Sequence, residues 1–119
     1  MSHHWLNEQA FTDSVIDLAK MTGWHVHHDR LKQNVQGHAG FPDLCLVREG
    51  DVIFAELKMD GKEPTEEQQE WLDTALLPLA RISLPPGAPG HVPEVFVRSA
   101  CWKPSMWEQI VKTLTFRRG

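Results

Sequence analysis

An α/β fold, with a central antiparallel hairpin covered by helices on both faces, is predicted by three observations. Residues 43–48 and 52–58 are two runs rich in Leu, Val, Ile and Phe, separated by Glu49-Gly50-Asp51, a turn signal. Apolar side chains fall on both faces of this hairpin, so both faces need cover. Segments with helical periodicity precede and follow it, which gives the order helix, strand, hairpin, helix, strand, helix.

The first helix is predicted over residues 6–21, where Phe11, Val15, Leu18 and Ala19 recur at helical spacing before a stop at Thr22-Gly23. Glu8 stands three residues before Phe11 and falls on the same stripe, so it is expected to point toward the interior or its edge, where an acid needs a partner. The alternative is a solvated first-turn residue that complements the helix dipole. Trp24-His25-Val26-His27-His28 alternates like a strand. Residues 29–39 have little apolar content and read as a loop into the hairpin. Arg30, Lys32, Gln33, Asn34, Gln36 and His38 there are either donors for phosphate or parts of a solvated linker.

Residues 59–64 form a turn, and residues 65–76 a second helix with Gln68, Trp71, Leu72, Ala75 and Leu76 on one face. Thr65-Glu66-Glu67-Gln68 fits a capping box, which gives Gln68 a structural role that competes with any role at a site. Glu63, Glu66, Glu67, Glu70 and Asp73 make a solvated face. Residues 80–84 are strand-like, residues 85–93 are too rich in Pro and Gly for regular structure, and residues 94–98 form another strand. Ser105-Met106-Trp107-Glu108 reads as a second capping box, opening a helix with Trp107, Ile110, Val111 and Leu114 on its apolar side.

The hairpin also carries the chemistry. If Glu49-Gly50 is a two-residue loop, Arg48 lies opposite Asp51, Cys45 opposite Phe54 and Asp43 opposite Glu56. Opposed side chains have Cβ atoms about 5 Å apart, and like charges so placed are destabilising unless compensated, as a divalent cation would do. Alternation puts Lys58 on the face of Glu56 and leaves Ile53, Ala55 and Leu57 for the other. Each residue also has an ordinary reading: Glu56 and Lys58 as an exposed ion pair contributing under ~1 kcal/mol, Asp43 as a turn former after Pro42.

With 119 residues, 41% of them hydrophobic, the chain fits a single domain, 1–119, with its own core. The net charge of −4 argues against clamping DNA by overall charge, although the acidity is concentrated in residues 60–73. His25, His27, His28, Arg30, Lys32 and His38 make a neutral-to-basic candidate surface for nucleic acid, and Arg117 with Arg118 a second. Cys45 and Cys101 match no paired metal spacing and read as buried, reduced thiols, which favours the cytoplasm. No leader and no apolar run near the ~20 residues of a membrane span is visible, so no membrane partner is expected. A zinc-binding regulator built on His25, His27, His28 and a cysteine lacks the paired spacing of tetrahedral sites.

Taken together, Glu8 on the first helix, Gly40-Phe41-Pro42-Asp43, Glu56-Leu57-Lys58, and Gln68 with Trp71 resemble the VRR-NUC branch of the PD-(D/E)XK nucleases. Gly23-Trp24 and Trp102-Lys103-Pro104-Ser105 add to the resemblance, which covers nearly the whole chain. Residues 81–92 are longer and richer in Pro than in compact members, and residues 98–101 look inserted. The resemblance implies a restriction-endonuclease-like core with a mixed sheet, and Mg²⁺ or Mn²⁺ held by Glu8, Asp43, Glu56 and the Leu57 carbonyl. It further implies Lys58 beside the attacking water, Gln68 at the rim, and DNA contacts from Arg30, Lys32, Gln33, His38 and Lys62. A homodimer acting on branched DNA such as Holliday junctions or flaps, in a phage or mobile element, is the implied setting, with Trp102, Trp107 and residues 76–79 as candidate dimer surface. The rival from another class is a catalytically silent nucleic-acid binding or assembly module on the same fold.

Overall fold

A computed structural model of the chain describes residues 5–28, 40–75 and 96–117. The expectations for residues 29–39, Arg30, Lys32, Gln33 and His38 among them, for residues 76–95 and for Arg118 lie outside the described residues. The elements are α1 (Glu8–Met21), β1 (His25–His28), β2 (Leu44–Arg48), β3 (Asp51–Leu57), α2 (Glu66–Glu70), β4 (Phe96–Trp102) and α3 (Trp107–Thr115). The strands form one mixed sheet in the order β1-β2-β3-β4, antiparallel at the first two pairings and parallel between β3 and β4.

The hairpin takes the predicted register, with Arg48 opposite Asp51 and Cys45 opposite Phe54. Glu49 and Gly50 have φ of 46° and 85°, the pair of left-handed residues that a two-residue type I′ turn requires. Leu44, Leu46, Ile53, Ala55 and Leu57 join Phe11, Val15 and Ala19 of α1 and Ile110 and Leu114 of α3 in the buried core. On the other face Phe41 stands edge-on to both Phe54 and Trp71, and the Ser99 hydroxyl donates to the Leu72 carbonyl at 2.6 Å. Helices therefore cover both faces, as the apolar hairpin demands.

Asn7 caps α1 by accepting the Ala10 N–H at 2.9 Å. Trp5, which periodicity alone does not single out, packs edge-on to Phe11 and against Trp107, tying the N-terminal segment to α3. The Thr65/Gln68 capping box is formed, but the second helix regular over Glu66–Glu70 continues as a π-helical turn at Trp71–Ala75. Arg98, Ser99, Ala100 and Cys101 lie within β4 and pair with Ile53, Phe54, Ala55 and Glu56. The second expected capping box is absent. Ser105 Oγ instead donates to Asp60 Oδ1 at 2.6 Å in a charge-assisted bond, and α3 opens through a 3₁₀ turn at Pro104–Met106 with no side-chain cap.

Arg48 joins the helix ends to the sheet. It is 4% exposed, and its guanidinium donates to the Thr22 and Leu114 carbonyls, each at 2.8 Å, and to the Phe116 carbonyl. Its carbon Cζ stacks 4.4 Å from the Trp24 ring centre, while Trp24 Nε1 donates to Leu114 O at 3.0 Å. Those carbonyls close α1 and α3, where backbone oxygens lack helical partners and the dipole is negative. Burial, then Arg117, lowers the Arg48 pKa from its ordinary value, yet an arginine stays protonated. Arg48→Ala should cost about 3 kcal/mol by urea denaturation, since it strands several buried acceptors. Arg48→Lys should recover little, because one ammonium group cannot reproduce the fork; a loss below about 0.5 kcal/mol for Arg48→Ala would contradict this role.

Candidate functional site

Asp43 stands one residue before β2, at a bend. The Lys58 N–H donates to the Trp102 carbonyl at 3.0 Å and so points toward β4. Alternation then turns the Leu57 N–H toward β2, where Asp43 Oδ2 accepts it at 2.9 Å. A carboxylate thus takes the place of a ladder carbonyl at the end of the hairpin, in a charge-assisted bond. The Leu57 carbonyl leaves the strand on the same side as its N–H, beside Asp43. Glu56 is one step past the last hairpin pair, Leu44 with Ala55, and is only 1% exposed. It shares its face with Phe54 and with Cys101, its partner on β4. Lys58, half-buried, follows on that face by alternation.

The loop that carries Asp43 is seated by its neighbours. Gly40 has φ of 83°, and a Cβ there would lie 2.6 Å from the carbonyl carbon of Glu67 and 2.9 Å from the Gln68 nitrogen. Only glycine permits both that backbone conformation and that approach. Pro42 is buried, and Phe41 is wedged between Phe54 and Trp71. Gln68 is buried at the start of α2, with Oε1 accepting the Thr65 N–H at 2.8 Å, so its carbonyl oxygen serves the cap and the amide nitrogen is what it has to offer elsewhere.

The structure brings Asp43, Glu56, Leu57 and Lys58 together and does not gather Glu8 with them. Glu8 is exposed in the first turn of α1, a helix that packs on the opposite face of β3; the apolar stripe of Phe11 and Val15 has run past the core edge by that point. Lys62 is exposed in the turn after β3. That turn is tied down by Asp60 to Ser105 and by Glu63 to Lys103. His25 and His27 are exposed on β1, whereas Arg117 is held by Glu49 at 2.7 Å and by the Thr22 carbonyl at 3.2 Å. Trp102 is buried and Trp107 packs on Trp5, so the candidate dimer surface does not include an exposed face of Trp102. Sequence reasoning passed over Lys103 as a neighbour of Lys58, since only the parallel pairing of β3 with β4 makes them adjacent.

No protein-family model, curated protein or solved structure matches the chain. Among the described residues, no three His, Cys, Asp or Glu side chains form a group able to hold a metal ion, and no helix is long and apolar enough to cross a membrane.

Cys45 and Cys101 are free, half-buried thiols. Burial pushes both pKa values up from 9.0, and at Cys101 it is followed by the opposing effects of Lys103, Glu56, Glu63 and Lys58. A raised value means that folding favours the thiol form. That stabilisation is complete below the unfolded pKa and is lost as pH rises through the folded one, so stability should decline from about pH 9 upward. Alkylation by iodoacetamide at pH 8 should be slower at both cysteines in the native protein than in urea; equal rates would contradict the burial argument. Gly40→Ala should destabilise the fold by about 1–3 kcal/mol, read by urea denaturation, through strain at positive φ and the clash with α2.

Proposed function

We propose that the chain is a metal-dependent DNA endonuclease of the VRR-NUC type, which hydrolyses phosphodiester bonds at Asp43, Glu56 and Lys58. The observation that carries this reading is the bond from the Leu57 amide to the Asp43 carboxylate, which draws the loop acid to the strand end where Glu56 and Lys58 lie. The donor set fits a hard divalent cation: two carboxylates and the adjacent Leu57 carbonyl are all oxygen ligands, and Mg²⁺ commonly uses one or two carboxylates with water and phosphate completing its shell. Asp43, Glu56 and the Leu57 carbonyl would hold Mg²⁺ or Mn²⁺. When bound, such an ion lowers the pKa of a water and polarises the scissile phosphate.

The chain's own groups supply the rest. Asp43 Oδ2 is fixed by the Leu57 N–H, so the orientation of the carboxylate is set before substrate arrives. Burial of Glu56 keeps bulk water from screening its charge. Lys58 orients the attacking water or takes its proton, and its ammonium form offsets negative charge that develops on the phosphate. Gln68, through its amide nitrogen, borders the site. The proposed substrate is branched DNA, such as a Holliday junction or flap, cut by a homodimer whose two sites face two strands.

A silent binding module is favoured by two particulars, the exposed position of Glu8 and the commitment of Gln68 to its cap. Linear, nicked, flap and four-way DNAs with wild type, Asp43→Asn and Lys58→Ala in Mg²⁺, Mn²⁺ and EDTA separate the readings. Cutting should require the metal and be greatest on a branched substrate. Lys58→Ala should lower kcat by at least about 100-fold while DNA binding persists. Binding by wild type with no cutting in either metal would establish the silent module instead.

A further inference from the structure

The pairing of β3 with β4 brings a second ammonium group to this site. In a parallel ladder an N–H bonds to the residue before its own partner, so the bond from Lys58 N to Trp102 O sets Lys58 beside Lys103. The backbone at Lys103 is extended, with φ −128° and ψ 158°, and carries the alternation of β4 through that residue. Lys103 therefore shares a face with Cys101, the partner of Glu56, just as Lys58 shares one with Glu56 itself. Neighbouring strands are about 4.8 Å apart, a separation at which like charges are destabilising without a counter-charge.

The counter-charge on Lys103 is a loose one. Lys103 Nζ lies 2.7 Å from Glu63 Oε1, with the lysine side chain 20% exposed and the glutamate 77% exposed. The lysine stem is packed in place while its carboxylate partner stands in water, which screens such a pair. A backbone phosphodiester spreads its one charge over two non-bridging oxygens, so it can accept from Lys58 and Lys103 at once, in place of a solvated carboxylate that engages Lys103.

We propose that Lys103 is a positioning residue that grips a backbone phosphate of the nucleic acid next to Lys58, with Glu63 as the group that the phosphate displaces. The identity of the anion rests on the nuclease reading above. The test compares wild type, Lys103→Gln, Lys103→Arg and Glu63→Gln for binding of a labelled short duplex across a salt series with Ca²⁺ replacing Mg²⁺, and for KM and kcat with Mg²⁺. Lys103→Gln should weaken binding about tenfold. It should also reduce the slope of log affinity against log salt by about 0.9. Its KM should change by more than its kcat, and Lys103→Arg should restore binding. Glu63→Gln breaks the same ion pair but should tighten binding about two- to fivefold, which a merely structural clamp would not do. If both variants shift binding in the same direction, or neither shifts it, the proposal fails while the nuclease reading stands on its cutting data. If wild type binds without cutting but the two variants diverge as stated, the phosphate grip stands and the nuclease reading falls. Failure of wild type to bind DNA overturns both.

Discussion

The Glu49-Gly50 turn constrains both ends of the molecule at once. Because side chains alternate along a strand, a slip of one residue in the hairpin would move every group on it to the other face. The observed register turns Arg48 inward, under the carbonyl ends of α1 and α3, and leaves Glu56 on the face that α2 partly covers. Two left-handed residues hold that register, one of them Glu49, which lacks the freedom of glycine. Part of the cost is offset locally, since the Glu49 carboxylate receives Arg117 at 2.7 Å.

From this hairpin the candidate site is assembled by short-range means. β3 supplies Glu56, Leu57 and Lys58 in sequence, and the Asp43 carboxylate closes the gap that the end of β2 leaves. Gly40 and Phe41 then fit the incoming loop against α2, so the position of Asp43 depends on packing between Phe54 and Trp71 as well as on its own hydrogen bond. The loop acid is thus held by a backbone hydrogen bond and by aromatic packing at the strand end where Glu56 and Lys58 lie. At the other end, the length of the strands away from the candidate site, Arg48 stacks on Trp24.

Much of the framework was legible because local rules dominate it. The two-residue turn dictated the pairing of Arg48 with Asp51 and of Cys45 with Phe54, and Thr65 with Gln68 made the capping box that their spacing announces. Where local and distant partners compete, the local rule failed. Ser105 had the spacing of a cap but met Asp60, a carboxylate far off in sequence. For Glu8 two local readings compete, a buried stripe and a solvated first turn, and the second holds because that turn extends beyond the core.

The sequence by itself determined the α/β class, the hairpin with its register, and the shared face of Glu56 and Lys58, because these follow from turn geometry and from the period of two in a strand. Only the tertiary structure decided that β4 runs parallel to β3, that Lys103 thereby stands beside Lys58, and that Arg48 gathers the ends of two helices. Such contacts join residues far apart along the chain, and no local preference encodes which distant carbonyl or strand a side chain will meet when the core closes.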